Sequence, residues 1–93
     1  MSVELPIGGS PAITNHAHER YRQRARPTAP PVRRAWKDGV TDDRLDDRVD
    51  GDEIRYHAPS ETVLVRRDHC ITTVLDADRL HCAVIHELRE VHS

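Results

Sequence analysis

Phenylalanine is absent from this chain of 93 residues, and its only aromatic side chains are Trp36, Tyr21 and Tyr56. A core without Phe has to be assembled mainly from Val, Leu, Ile and Ala, with Trp36 as its largest member. A domain of this length buries only about 60–70% of the surface that its unfolded chain exposes, so its margin of stability is small. Length and composition therefore predict one small domain with a thin aliphatic core.

Long apolar runs and glycine-rich loops are also missing. No stretch approaches the roughly 20 apolar residues of a membrane-spanning helix, and residues 1–10 lack the basic start and apolar run of a secretory leader. Gly8 and Gly9 are not followed by the pattern of a phosphate-binding loop, and Ser10 and Ser60 have no recognisable partners for nucleophilic catalysis. These absences argue against membrane, nucleotide-binding and serine-hydrolase proteins. They predict a cytoplasmic protein, or a virion component if the protein is a viral accessory.

Cys70 and Cys82 are the only cysteines, and no CxxC pair is present. In a cytoplasmic protein both are expected to be reduced thiols. Cys82 and His86 are four residues apart in a helical pattern, and with Cys70 they would supply three of the four ligands that a structural zinc ion requires. Buried thiols and surface imidazoles are the more common outcome at such spacing. We therefore predict no metal and no cofactor.

Charged residues are plentiful, at 32% of the chain, and they are segregated although the net charge is only −2. Residues 16–37 contain six Arg and one Lys against Glu19 alone, and residues 38–53 contain eight acids against two Arg. Such blocks are typical of a phosphate-binding face, a self-complementary surface, or a solvated helix beside a solvated loop. Thirteen Arg against one Lys also indicate a GC-rich genome and a salt-adapted source, such as a haloarchaeon or one of its viruses.

The order of local patterns predicts an α+β fold: two N-terminal helices, then a three- to four-stranded antiparallel meander, then a C-terminal helix. Residues 1–12 are interpreted as a flexible arm. Residues 13–93 form the single domain, which is divided into a helical part, a sheet part and a C-terminal helix at 13–39, 40–75 and 76–93.

Caps and turns set the limits of the elements. Thr14 or Asn15 can cap a first helix over residues 16–25, and Pro31 and Gly39 bound a second one. Residues 40–52 are interpreted as a frayed edge strand and a loop. Three β-rich runs joined by short turns complete the sheet, and they occupy residues 53–57, 62–66 and 70–75.

The first helix carries a family resemblance. Its sequence HAHERYRQR, at residues 16–24, resembles the opening helix of RelE/BrnT-like toxins, in which a His is followed by Arg residues at helical spacing. The second helix, ending in WKDG at residues 36–39, and the three strands are similar to the next elements of that superfamily, so the resemblance covers roughly residues 16–75. It implies an α+β endoribonuclease that works without metal and is neutralised by an antitoxin laid across its basic face.

Metal-free RNA cleavage needs a base for the 2′-hydroxyl proton, an acid for the departing 5′-oxygen and fixed positive charge at the phosphate. Histidine can fill either proton-transfer role near neutral pH, and arginine binds phosphate with paired donors. The first helix therefore supplies the predicted catalytic residues, which are His16, His18, Arg20 and Arg24. The predicted substrate-binding residues are Arg22, Arg66, Arg67, Tyr56 and Thr73.

Two alternatives stay open. The first helix can be an ordinary solvated helix near a terminus, with Arg and His as surface residues. The protein can also be a non-catalytic interaction module, a viral or plasmid accessory, that forms a homo-oligomer through the amphipathic C-terminal helix. The apolar stripe of that helix consists of Leu80, Val84, Leu88 and Val91.

Overall fold

Four strands and four α-helices follow one another in the computed structural model, which describes residues 11–80 and 83–92. Most of the predicted arm, residues 1–10, lies outside the described residues. The elements are β1 (Ala12–Ile13), α1 (Asn15–Arg24), α2 (Val32–Asp38), α3 (Asp43–Asp46), β2 (Glu53–His57), β3 (Thr62–Arg67), β4 (Cys70–Asp76), a 3-10 turn (Ala77–Leu80) and α4 (Ala83–His92). The predicted α+β class is confirmed.

The sheet has the strand order β1-β4-β3-β2 and is mixed. The predicted antiparallel meander is present in β2, β3 and β4. The prediction of a purely antiparallel sheet is wrong, because β1 joins β4 in parallel, with Ala12 opposite Cys70 and Ile13 opposite Ile71. A strand of two residues is too short to show the alternation of apolar and polar residues by which strands are predicted. Only its pairing with β4 defines β1.

The segment before β2 also differs from the prediction. Only Val40 makes a bridge to the sheet, opposite Tyr56, so the frayed edge strand is wrong. The side chain of Asp42 accepts a hydrogen bond from the backbone N–H of Arg44 (2.9 Å) and starts α3, which buries Leu45 against the sheet. Three helices rather than two therefore precede β2.

Helices cover both faces of the sheet, and side chains alternate between them along each strand. On one face, the α1 face, Leu64, Ile71 and Val74 pack against α1 and α2, whose buried residues are Ala17, Tyr21, Val32, Ala35 and Trp36. On the opposite face, the α4 face, the strand residues Ile54, Tyr56, Val63 and Val65 pack against α3 and α4. The sheet thus separates two small cores.

The C-terminal helix starts later than predicted, because β4 continues to Asp76 and a 3-10 turn follows. From α4, Val84, Ile85 and Leu88 are buried on the α4 face, whereas Val91 is 73% exposed. The predicted stripe is therefore correct in its middle and wrong at Val91. No helix in the part of the chain that the structure describes combines the length and the apolar character needed to cross a membrane.

Candidate functional site

Helix α1 carries all four predicted catalytic residues, and the sheet fixes its position. Thr14 caps the helix by accepting a hydrogen bond from the backbone N–H of Ala17 (3.1 Å). Thr14 also donates its hydroxyl (3.2 Å) and its backbone N–H (3.1 Å) to the carbonyl oxygen of Ile71 in β4. Ala17 and Tyr21, four residues apart, are buried against the α1 face, and the Tyr21 hydroxyl donates to the carbonyl of Pro30 (2.6 Å). The buried stripe leaves the charged side chains on the outer part of the helix.

The predicted catalytic residues lie on two flanks of α1 rather than one. His16, Arg20 and Arg24 are spaced by four residues and share one flank, which we call the cationic flank. His18 follows His16 by two residues, about 200° further round the helix axis. His16 and His18 are exposed, and Arg20 and Arg24 are half-buried. A phosphate held on the cationic flank can therefore be reached by His16 and not by His18.

The arginines of α1 have no carboxylate partner among the residues that the structure describes. Within the described ranges no Asp or Glu oxygen lies within 4.0 Å of Arg20, Arg22 or Arg24. Arg20 donates only to the side-chain oxygen of Gln23 (3.3 Å), and the buried Nε of Arg24 has no acceptor among the described residues. These guanidinium groups are thus charged groups with unused donors, which is the state that binding a phosphate requires.

Two predicted substrate-binding residues, Arg66 and Arg67, form ion pairs with acidic side chains. Arg66 lies 3.4 Å from Glu53 and also donates to the carbonyl of Asp68, and Arg67 lies 2.8 Å from Asp50. Successive residues of a strand face opposite ways, so only Arg66 shares the α1 face with Leu64. The structure brings Arg66 to the side of the sheet that holds α1.

Tyr56 and Thr73 lie on the other side of the sheet. Tyr56 is buried in the core beneath α4, and Thr73 is paired with Val65, which belongs to the same core. Side chains of paired residues in neighbouring strands point to the same face. The structure therefore does not bring these two residues together with the cationic flank.

Sequence reasoning missed a buried acid that contacts three other side chains, Glu61. It lies in the turn between β2 and β3 with φ at 56°, and its side chain is buried. It accepts a hydrogen bond from the Tyr56 hydroxyl, and its Oε1 lies 2.7 Å from Arg89 of α4 and 3.6 Å from Arg26 after α1. Burial, together with the hydrogen bond to Glu61, raises the pKa of Tyr56 to about 12. A Glu in an Ala-Pro-Ser-Glu turn has the sequence pattern of a surface residue, so nothing in the sequence marks it.

A second buried polar chain occupies the same turn on the α1 face. The Nδ1 atom of His57 lies 2.7 Å from the Ser60 hydroxyl, which in turn lies 2.7 Å from the hydroxyl of Thr62. Because the Ser60 backbone N–H also donates to this Nδ1 (3.3 Å), the neutral ring carries its proton on Nε2. Burial lowers the pKa of His57, against the opposing effect of the Asp38 carboxylate.

The pair of His57 and Ser60 corrects the expectation that Ser60 has no partner, but it does not make Ser60 a nucleophile. Ser60 is 0% exposed and His57 2% exposed, so no substrate reaches the hydroxyl. The pair closes the turn and satisfies buried polar atoms.

The zinc site considered from the sequence, against which no metal was predicted, would require Cys82, which lies outside the described residues. Cys70 is a free, half-buried thiol at the start of β4, and the exposed His86 lies 3.4 Å from Glu90. Among residues 11–80 and 83–92 no three His, Cys, Asp or Glu side chains are grouped for a metal ion.

Comparison with protein families gives one match. A family described as "Putative RelE superfamily toxin domain" matches residues 13–78, more than two thirds of the chain. The match runs from the end of β1 through α1 and the sheet into the 3-10 turn, and α4 lies beyond it. Comparisons with curated proteins and with solved structures gave no match.

Proposed function

The chain belongs to this family of RelE superfamily toxin domains, and on that premise we propose that it cleaves RNA without a metal ion, at the cationic flank of α1. The observation that carries the proposal is the contrast among the arginines. Each arginine of β2, β3 and α4 has a carboxylate partner, whereas among the described residues Arg20, Arg22 and Arg24 have none and lie together on one helix. The other arginines without an ion pair among the described residues, Arg33, Arg48 and Arg79, are scattered over three separate segments. Unneutralised guanidinium groups beside an exposed His are what a phosphate-cleaving site needs.

In the proposed reaction Arg20 and Arg24 hold the phosphate and stabilise the charge that develops on its oxygens. His16 takes the proton of the 2′-hydroxyl as that oxygen bonds to phosphorus. The bond from phosphorus to the 5′-oxygen breaks, and the leaving oxygen takes a proton from water. The products are a 2′,3′-cyclic phosphate and a free 5′-hydroxyl. Arg22 and His18, on the other flank, are available to neighbouring phosphates.

The acidic block of the sequence does not neutralise α1 through ion pairs among the described residues. Asp42 is bound to Arg44 and Asp50 to Arg67, and within the described residues the acids of this block make no ion pair with α1. An antitoxin could therefore supply the missing negative charge, and we propose an acidic segment of such a partner as the natural inhibitor of the cationic flank.

The alternative function is a docking module that forms homo-oligomers through α4. Most of the apolar face that it would use is already buried within the chain. Val84, Ile85 and Leu88 pack on the chain's own sheet, and of the predicted stripe only Val91 is largely exposed. This packing favours the ribonuclease over the docking module.

The test is RNA cleavage by the purified protein in EDTA, at low and high salt. We expect cleavage by the wild type, loss of activity in His16→Ala and in the double variant Arg20→Ala/Arg24→Ala, and little change in His18→Ala. His86→Ala and Arg33→Ala/Arg48→Ala are matched controls, because these side chains are exposed and lie outside α1. A wild type without cleavage at any salt concentration would reject the ribonuclease and favour the docking module.

A further inference from the structure

Two arginines share one carboxylate on the α1 face of the sheet. Arg55 of β2 lies 2.6 Å from Oε2 of Glu53, and Arg66 of β3 lies 3.4 Å from Oε1 of the same residue. All three side chains are about a quarter exposed, so they are partly withdrawn from water and still accessible. This group, the Glu53 cluster, carries two positive charges against one negative charge.

Protein contacts hold both guanidinium groups in place without using all their donors. Arg55 lies over the ring of Trp36, 4.2 Å from its centroid, and donates from Nη1 to the Trp36 carbonyl (2.9 Å). Arg66 donates from Nη1 to the carbonyl of Asp68. A guanidinium has five N–H groups, so each arginine keeps donors that these contacts leave unused. Held in this way, the two groups lose little side-chain entropy when an anion binds.

Two other acids at this end of the sheet, Asp50 and Asp52, bind groups outside the Glu53 cluster. Asp50 is paired with Arg67, which points away from the α1 face. Asp52 accepts the backbone N–H of Asp68 (2.5 Å). Within the described residues neither Asp50 nor Asp52 forms an ion pair with Arg55 or Arg66, so Glu53 is the carboxylate that pairs with both.

The Glu53 cluster is close to the start of α1. Arg66 is paired with Ile71 in the sheet, and the carbonyl of Ile71 accepts both hydrogen bonds from Thr14, the cap of α1. His16 follows in the first turn of that helix. The start of α1 and the Glu53 cluster therefore lie on the same face and at the same end of the sheet.

We propose that Arg55 and Arg66 form a second phosphate-binding site, which holds an RNA phosphate next to the one that is cleaved, and that Glu53 limits its affinity by occupying a donor of each arginine. This inference rests on the proposed function, since it adds a second contact to the same RNA strand. The RNA must then extend at least one nucleotide beyond the cleaved bond.

The experiment measures binding of a fluorescein-labelled, 2′-O-methylated oligoribonucleotide, which cannot be cleaved, to the full chain at several salt concentrations. Arg66→Gln and Arg55→Gln should each weaken binding roughly five- to tenfold and reduce the slope of log affinity against log salt by about 0.7, the value for one lost phosphate on a single strand. Glu53→Gln should do the opposite, with tighter binding and a steeper slope. If Arg55→Gln folds poorly, Arg55→Lys is used in its place, because it keeps the positive charge.

The matched controls change charge by the same amount elsewhere. Glu87→Gln removes one of two carboxylates from Arg44, near α4, and Arg48→Gln removes an exposed arginine after α3. If these variants shift affinity as much as Glu53→Gln and Arg66→Gln, general electrostatics explains the effect and the second site is wrong.

The outcomes separate the two proposals. Expected shifts in Glu53→Gln and Arg66→Gln, with no cleavage by the wild type, would support the second site and reject the ribonuclease. Cleavage that depends on Arg20 and Arg24, with no effect of the Glu53 cluster on binding, would do the reverse. A wild type that does not bind the oligoribonucleotide overturns both.

Discussion

Helix α1 and the turn between β2 and β3 both concentrate ionisable side chains, but they treat them in opposite ways. On α1 the charged groups are exposed or half-buried and, among the described residues, Arg20, Arg22 and Arg24 have no acid. In the turn, Glu61 is buried and contacts Tyr56, Arg26 and Arg89. A charge in water needs no partner, whereas a buried charge without one is costly. The role proposed for the ionisable side chains of α1 is binding, whereas those of the turn stabilise the fold, and substitutions should separate the two roles.

The largest effect on stability is expected from Glu61→Ala. This change leaves the hydroxyl of Tyr56 and the guanidinium of Arg89 without their buried acceptor. Removing one member of a buried ion pair costs about 3–5 kcal/mol, and because the side chain of Arg89 is one-third exposed we expect the lower end, about 3 kcal/mol in the free energy of unfolding by urea.

Asp78→Ala is the control for Glu61→Ala. It removes the other carboxylate of Arg89, at 2.9 Å but largely exposed, so it should cost less than about 1 kcal/mol. Equal losses in the two variants would show that burial does not distinguish the turn from the surface.

The next effect concerns both tyrosines. Burial raises the pKa of Tyr21, and burial with the hydrogen bond to Glu61 raises the pKa of Tyr56 to about 12. Both side chains should therefore ionise at a higher pH in the folded protein than in urea. A folded pKa above the unfolded value of 10.0 means that the stability contributed by Tyr56 is complete below pH 10 and is lost as the pH rises towards 12. Absorbance of tyrosinate measures this. In Tyr56→Phe only the ionisation of Tyr21 should remain, so a variant that keeps the step near pH 12 would contradict the assignment.

A smaller effect is expected on the acid side, at His57. Its folded pKa is below the ordinary 6.5, so only the unfolded chain takes up this proton just below pH 6.5, and stability falls as the pH drops from there towards the folded pKa. The slope is at most about 1.4 kcal/mol per pH unit. Urea unfolding between pH 5 and 7 should show it in the wild type and show less of it in His57→Asn, whose side-chain oxygen can replace Nδ1 as an acceptor. Identical slopes would mean that His57 does not cause the loss of stability in acid.

The smallest effect on stability is expected on α1 itself. Arg20→Ala/Arg24→Ala breaks no ion pair between described residues and should change the free energy of unfolding by less than about 1 kcal/mol, while RNA cleavage is lost. A loss of 3 kcal/mol in this variant would make α1 a structural element like the turn and end the contrast between them.

Local signals predicted the fold where a residue's own neighbours decide its structure. The limits of β2 were predicted without error, and α1 was displaced by one residue, because turn residues bound the strand and Thr14 caps the helix. Structure that depends on distant pairing was not predictable. β1 exists only through β4, and α3 only because Leu45 finds a place against the sheet.

The candidate site divides in the same way. Spacing by four residues placed His16, Arg20 and Arg24 on one flank, since helical periodicity is a local property. The pairing of arginines with acids depends on residues that are distant in the sequence. Glu53 pairs with Arg66, thirteen residues away, and Glu61 pairs with Arg89. The distinction between Tyr56 and Arg66, on opposite faces of the sheet, also requires the strand register.

Because α1 is anchored by two hydrogen bonds from Thr14 to Ile71, it can take its final position only late in the synthesis of the chain. The cap residue of α1 and its acceptor are 57 residues apart, so α1 leaves the ribosome long before the strand that anchors it. An isolated helix of ten residues is marginal in water, and β1 cannot pair before β4 is made. A nascent chain that has emerged only as far as β3 therefore holds the basic segment without a fixed shape, and the last sheet strand to be translated completes the surface proposed to bind RNA.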